Sequence, residues 1–160
     1  MTIYLAADHA GFALKEKAKK FLIESGHEVT DCGAHKLVAG DDYPVYMGKA
    51  AEAVADDPGS RGIIFGGSGQ GEAMVANRTP GVRAAVFYGP EVAKAAVDAE
   101  GRQSADPFEI LKLERAHNDS NMLSIGARFV SEVDALKAIQ IWLATPFSRS
   151  ERHERRIKEF

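Results

Sequence analysis

The sequence predicts a single α/β domain, a three-layer α/β/α sandwich built on a five-stranded parallel sheet. Three observations lead to this fold class. Short aliphatic runs alternate with longer amphipathic stretches, which is the pattern of parallel strands joined by helices. The run "RGIIFG" at 61–66 is almost wholly apolar, as expected of a strand that is buried on both faces. The length of 160 residues fits one domain, 1–160.

The individual elements follow from hydrophobic spacing. Strands are predicted at 2–7, 27–32, 61–66, 82–87 and 121–126, where β-branched or aliphatic residues cluster. Helices are predicted at 11–25, at 43–55, shortly after the glycine-rich stretch 66–71, from about Pro90, and at 132–144. Gly26 and "DDPGS" at 56–60 are typical of residues that end a helix, and they follow the first two predicted helices. A polar stretch at 98–108 interrupts the helix predicted from Pro90.

Composition and charge exclude several kinds of partner. The net charge is −3, so we expect no nucleic acid and no membrane among the partners. Cys32 is the single cysteine, which rules out an intramolecular disulfide, and no apolar run approaches the roughly 20 residues of a membrane span. We therefore expect a cytoplasmic protein. Four arginines and a lysine crowd into 148–158, and we expect a basic C-terminal helix at 148–160.

The loop "GGSGQGE" at 66–72 follows the third strand. A dinucleotide site would need glycine in place of Glu72, a Walker loop would need a lysine, and a hydrolase elbow would need glycine in place of Gln70. The glycines instead permit a ring of backbone N–H groups that can stabilise an oxyanion. Glu72 at its edge is a candidate base for proton abstraction beside a carbonyl. The alternative is a tight turn in which Glu72 only favours the helix dipole.

Other polar residues follow the first and fifth strands. Asp8 and His9 come directly after the first strand and could hold sugar hydroxyls or a phosphate, although Asp8 could also cap the helix near Gly11. Arg128 comes shortly after the fifth strand. Ligands of parallel sheets bind beyond the carboxyl ends of the strands. We therefore expect these residues and the glycine loop to share one crevice.

Further candidates lie closer to the C-terminus. His117 and Asn118 offer an acid–base group and a hydrogen-bonding amide. Arg152 and Arg156, like Arg128, suit bidentate capture of a phosphate.

Seven motifs in this order, "AADHAG", "DDYP", "GGSGQGE", "AN", "HND", "IGAR" and "RHERR", resemble the ribose-5-phosphate isomerase type B family, which includes galactose-6-phosphate isomerase subunits. The match covers nearly the whole chain. It implies a Rossmann-like fold and interconversion of D-ribose 5-phosphate and D-ribulose 5-phosphate through a cis-enediolate, with no metal and no organic cofactor. It also implies a homodimer with shared active sites, and a tetramer remains open. The alternatives are an isomerase of a hexose 6-phosphate, allose or galactose, and a non-catalytic phosphosugar-binding module.

The resemblance implies catalytic roles for four residues. Glu72 matches the glutamate base of one branch of the family, whereas the other branch has a cysteine base at the position of Gly66. His117 matches the acid that opens the sugar ring, and Asp8 assists ring opening or phosphate binding. The hydroxyl of Ser68 assists the glycine loop in holding the enediolate.

The resemblance also implies a set of substrate-binding residues. These are Asp8, His9, Gly67, Ser68, Gly69, Gln70, Gly71, Asn118, Arg128, Arg152 and Arg156. His153 and Arg155 are left out, because helical spacing keeps only the arginines at 152 and 156 on one face. If residues 98–108 form a self-contained excursion, His117 and Asn118 keep their family positions.

Overall fold

The structure is a computed structural model that describes residues 1–160. Its five strands are β1 (Thr2–Ala7), β2 (Glu28–Asp31), β3 (Arg61–Gly66), β4 (Ala84–Phe87) and β5 (Met122–Gly126). Its six helices are α1 (Phe12–Glu24), α2 (Tyr43–Asp56), α3 (Gln70–Ala76), α4 (Glu109–Asn118), α5 (Glu132–Ala144) and α6 (Glu151–Ile157). None of these helices has the length and apolar composition needed to cross a bilayer.

The strands form one parallel sheet in the order β2-β1-β3-β5-β4. The five-stranded parallel sheet of the sequence prediction is therefore confirmed. After β2 has been added on one side of β1, the chain crosses over and adds β3 on the other side. The loops that leave β1 and β3 consequently run in opposite directions and leave a crevice at the carboxyl edge of the sheet.

Alternation along β3 divides the interior into two cores. Ile63 and Phe65 belong to a core that includes residues of α1, α4 and α5, whereas Ile64 belongs to a core that includes residues of α2 and α3. This period of two places helices on both faces of the sheet, as the predicted sandwich requires. The indole N–H of the fully buried Trp142 donates to Ser120 Oγ at 2.9 Å, so the largest core side chain leaves no polar atom unsatisfied.

The helix predicted from about Pro90 is wrong. The chain runs without regular structure from residue 88 to 108, and α4 begins only at Glu109. None of residues 88–107 is buried, so a helix there would have no apolar face packed against the domain. Gly101 sits in the left-handed region at φ 84°, and Arg102 ties the segment together through Asp98 at 3.0 Å and Glu109 at 2.7 Å.

The irregular segment 88–108 is self-contained. The N–H of Glu91 donates to the carbonyl of Pro107 at 2.8 Å, which brings its two ends together. The chain therefore re-enters the domain close to where it left, and α4 carries His117 and Asn118 at its C-terminal end. The predicted basic helix is shorter than 148–160: it spans Glu151–Ile157, and the N–H of Ser148 donates to the carbonyl of Ala116 at 3.1 Å.

Gly11, the residue just ahead of α1, lies against the backbone of β3. A Cβ at this position would lie 2.5 Å from the carbonyl carbon and oxygen of Phe65 in β3. Because backbone atoms of a central strand cannot move aside, we expect Gly11→Ala to lower the free energy of unfolding by about 1–3 kcal/mol. Urea denaturation followed by circular dichroism measures the change.

Gly48 provides the matched control in the middle of α2. A Cβ there meets no atom within 4 Å, so Gly48→Ala should raise the free energy of unfolding by about 0.5–1 kcal/mol. Equal stabilities for the two variants would contradict the close approach at Gly11.

Candidate active site

One crevice of about 500 Å³ opens at the carboxyl edge of the sheet, where the strand order reverses. The three segments that were expected to meet, after β1, β3 and β5, all contribute to it. The residues that line it are Asp8, His9, Ala10, Tyr43, Gly67, Ser68, Gly71, Glu72, Arg128 and Phe129. Gly69 and Gln70 belong to the same loop but do not line this crevice.

Asp8 is buried at the end of β1. Its Oδ1 accepts the N–H groups of Ala10 and Gly11, each at 2.9 Å. The capping role considered for Asp8 therefore accounts for one oxygen, which holds the turn that leads into α1. The second oxygen makes no hydrogen bond within the chain and is available to a ligand in the crevice.

The glycine loop presents free backbone donors. The N–H groups of Gly67 and Ser68 donate to no backbone carbonyl, whereas the N–H of Gly69 interacts with the Glu72 carboxylate. Gly69 adopts φ 78°, and its carbonyl accepts the buried hydroxyl of Ser124 in β5 at 2.7 Å. This hydrogen bond from β5 holds the loop against the sheet. Successive free N–H groups around a left-handed residue form a concavity that suits a negatively charged oxygen.

Glu72 lies in the first turn of α3 and is 5 % exposed. Burial, with a contribution from the charge of Asp8, raises the pKa of Glu72 above its ordinary 4.5 even though nearby backbone N–H groups and Arg128 oppose the rise. The sequence left the direction of this shift open. A carboxylate with a raised pKa is a stronger base near neutral pH than an exposed glutamate.

Gly66 makes room for the Glu72 carboxylate. A Cβ on Gly66 would overlap Oε1 of Glu72, far inside contact distance. The carboxylate therefore occupies the space into which a side chain at position 66 would project. A glutamate at 72 and a thiol at 66, the two bases that distinguish the branches of the family resembled, compete for one volume.

Arg128 supplies positive charge at the mouth of the crevice. Its guanidinium lies beside Gly67: a Cβ added to Gly67 would be 3.3 Å from Cζ of Arg128. The side chain is exposed and forms no ion pair within the chain. A free guanidinium next to a loop of free N–H groups is suited to a phosphate or an enediolate.

Asp41 and Tyr43 were missed by the sequence reasoning. Oδ1 of Asp41 accepts the backbone N–H of His9 at 2.9 Å and lies 2.7 Å from its ring Nδ1. The hydroxyl of Tyr43 lies 2.7 Å from where a Cβ on Gly71 would be. The motif "DDYP" contained both residues, but Asp41 lies in the loop ahead of α2 and Tyr43 is the first residue of that helix, so no period in the sequence showed that these side chains face inward.

Asp8, His9 and Asp41 form the one group that could hold a metal ion, with a ligand atom of each within 4.8 Å of the others. Two carboxylates and an imidazole are chemically suited to a divalent cation. However, one oxygen of Asp8 and one of Asp41 already accept N–H groups of the chain. Hydrogen bonding within the chain thus accounts for one oxygen of each acid.

His117, Asn118, Arg152 and Arg156, hereafter the basic cluster, do not line the crevice. Asn118 lines a separate cleft of about 510 Å³ with Arg83 and Phe160. His153, which helical spacing had led us to leave out of the site, is buried, and its ring lies against His117 at a tilt of 38° with centroids 4.3 Å apart. Its burial follows from the packing of α6 against α4.

The sheet separates the crevice from the basic cluster. Asn118 closes α4 and is followed within four residues by Met122, the first residue of β5. Gly126, the last residue of β5, pairs with Gly66 at the carboxyl edge, beside the crevice. The two ends of this five-residue strand are about 13 Å apart. Glu72 and His117 of one chain therefore lie at opposite edges of the same sheet.

A family model described as Ribose/Galactose Isomerase matches residues 3–103 and 106–160. A ribose-5-phosphate isomerase B of Mycobacterium tuberculosis is 39 % identical over 157 residues, which covers 98 % of this chain and 86 % of that protein. The ribose-5-phosphate isomerase B of Escherichia coli is 33 % identical over 156 residues, which covers 98 % of this chain and 91 % of that protein.

Solved structures agree with these sequence relatives. A ribose-5-phosphate isomerase B from Clostridium thermocellum superposes with a TM-score of 0.84 at 34 % identity, covering 99 % of this chain and 94 % of that one. The enzyme from Mycoplasma genitalium, solved with bound ribulose-5-phosphate, also gives a TM-score of 0.84 at 29 % identity, covering 99 % and 92 %.

Replacement of Gly66 by alanine tests the position of the Glu72 carboxylate. The added methyl group should push the carboxylate towards water and bring the pKa of Glu72 down towards its ordinary 4.5. Carbon-13 NMR titration of the glutamate side-chain carboxyls measures this change. Gly48→Ala is the control, because its Cβ would meet nothing within 4 Å; an unaltered Glu72 titration in Gly66→Ala would contradict the packing.

Proposed function

Because the chain belongs to the ribose/galactose isomerase family, we propose that it interconverts D-ribose 5-phosphate and D-ribulose 5-phosphate with Glu72 as the base. The observation that carries the proposal is a buried carboxylate and two free backbone N–H groups, those of Gly67 and Ser68, in one crevice. A base and an oxyanion site in the same crevice are what proton abstraction next to a carbonyl requires. The product found in the relative from Mycoplasma genitalium supports the choice of sugar.

The chemical step moves two protons. Glu72 takes the proton from C2 of the open-chain aldose, the C–H electrons form the C1–C2 double bond, and the negative charge moves to O1. The N–H groups of the loop stabilise this oxygen, each contributing about 3–4 kcal/mol to the transition state. Glu72 then returns its proton to C1, and the hydroxyl of Ser68 assists transfer of the O2 proton to O1. Arg128 neutralises charge at the mouth of the crevice.

We propose that each crevice is completed by a second subunit in a homodimer. Ring opening needs an acid at the ring oxygen, and His117, the candidate for this role, lies at the far edge of its own sheet. The partner's His117 and the partner's Asn118 would meet the sugar, and the partner's Arg152 and the partner's Arg156 its phosphate. Phe129, at the rim of the crevice, is 67 % exposed, which fits a surface that another chain covers.

A hexose 6-phosphate is the second candidate substrate. A cleft of about 240 Å³ adjoins the crevice, shares Ser68 and Phe129 with it, and is walled by Gln70 and Tyr88. It offers room for one further carbon with its hydroxyl.

We also propose a cytoplasmic location, because the single Cys32 has no second cysteine in the chain with which to form a disulfide in an oxidising compartment.

Proton NMR in heavy water tests the reaction and the base together. The parent protein should convert D-ribose 5-phosphate into ribulose 5-phosphate with deuterium from solvent at the exchanged carbon. Glu72→Gln should lower the rate by about 10²–10⁴-fold, because the amide cannot accept the proton. Conversion by the variant at the parent rate would refute Glu72 as the base. Reaction of allose or galactose 6-phosphate alone would favour the second candidate.

The pH profile of the same reaction reports on Glu72 separately. The base is active when it is ionised, so the rate falls as the pH drops through the pKa of Glu72. Because burial raises that pKa, the acidic limb should lie above the range of an exposed glutamate. Glu72→Gln should lack this limb in its residual activity.

Mixed dimers test the shared active site. Glu72→Gln and His117→Ala chains are each expected to keep only a small residual activity alone. A heterodimer of the two has one crevice that combines Glu72 with the partner's His117 in intact form, so random mixing should restore about a quarter of the parent activity. Mixing without restoration, although the heterodimer is seen by native mass spectrometry, would contradict sharing.

A further inference from the structure

We propose that Asp41 is a positioning residue that fixes the ring of His9 and leaves its Nε2 for a hydroxyl of the bound sugar phosphate. The inference rests on the isomerase function proposed for the crevice. Nothing in the chemical step described above uses Asp41, which comes from the loop ahead of α2.

Asp41 holds His9 at two points with a single oxygen. Oδ1 accepts the backbone N–H of His9 at 2.9 Å and lies 2.7 Å from Nδ1 of its ring. These contacts fix the backbone at residue 9 and the orientation of the imidazole together. The Asp41 side chain is 4 % exposed, whereas that of His9 is 34 % exposed and lines the crevice. The acid is thus the buried anchor and the ring is the part that a ligand reaches.

The contact also selects the tautomer. An ionised carboxylate can only accept hydrogen bonds, so Nδ1 of His9 carries a proton. Nε2 makes no hydrogen bond within the chain. In the neutral ring Nε2 is therefore an acceptor, and its natural partner in a sugar phosphate is a hydroxyl group. A buried aspartate that orients a histidine in this way is the arrangement of serine hydrolase triads.

The unpaired oxygen of Asp41 argues against a purely structural role. Oδ2 is buried and has no hydrogen-bond partner. Asp8 lies in the same cluster, with its ligand atom within 4.8 Å of those of His9 and Asp41. Holding the His9 backbone alone would need only a neutral acceptor such as asparagine. An unsatisfied acid next to a second acid is unfavourable for folding. We therefore attribute the carboxylate of Asp41 to its action on the ring of His9.

Asp41→Asn tests the proposal with two independent readouts. Nitrogen-15 NMR of the His9 ring should show the proton on Nδ1 in the parent and a shift of the proton towards Nε2 in the variant, because the amide can donate to Nδ1. The kcat/KM for D-ribose 5-phosphate should fall by about 10–100-fold, as for other groups that orient a histidine. Asp42→Asn is the control: this neighbour is exposed and makes no side-chain cap, and its kcat/KM should stay within about twofold of the parent.

A double-mutant cycle shows whether Asp41 acts through His9. Once His9 has been replaced by asparagine, Asp41→Asn should lower kcat/KM by no more than about twofold further. Equal losses in both backgrounds, or an unchanged ring tautomer in Asp41→Asn, would overturn the proposal. Loss of parent activity on treatment with EDTA would also overturn it, because Asp8, His9 and Asp41 would then be holding a cation. The tautomer readout needs no substrate, so it stands apart from failure of the isomerase function.

Discussion

The candidate site depends on one constraint: residue 66 must be a glycine, because any Cβ there would overlap the Glu72 carboxylate. Gly66 lets the Glu72 carboxylate lie against the carboxyl edge of β3, where water is largely excluded and the loop N–H groups are close by. The same glycine pairs with Gly126 of β5, so the room made for the carboxylate belongs to the central strands and not to a flexible loop. The Glu72 carboxylate is therefore positioned by the central strands of the sheet.

This position has a consequence for stability. Burial raises the pKa of Glu72, and burial raises that of Glu114 in α4 to about 8. A group whose pKa is raised on folding contributes stability below its unfolded pKa and loses that contribution as the pH rises through the folded value. Near neutral pH the ionised form of Glu72 is thus held at some cost to the fold, a trade between stability and activity that is common at functional sites.

How much the sequence could predict depended on whether a signal was local. β3 and the alternation of elements were predictable because a buried parallel strand has its own composition, and Asp8, Glu72 and Arg128 were found because each follows a strand. The loop that carries Asp41 has no period, so its inward-facing side chain could be identified only from the folded structure. The burial of His153 was not predictable because it depends on tertiary packing of α6 on α4, which helical spacing does not contain.

The irregular segment 88–108 has a further meaning for how this chain can vary. Its ends are joined by the contact between Glu91 and Pro107, and Arg102 satisfies charges within and beside the segment. The closure entropy of such a loop grows only slowly with length. Residues could be gained or lost between these ends without moving α4 or the sheet. The segment can thus accept insertions and deletions while the geometry of the catalytic domain stays the same.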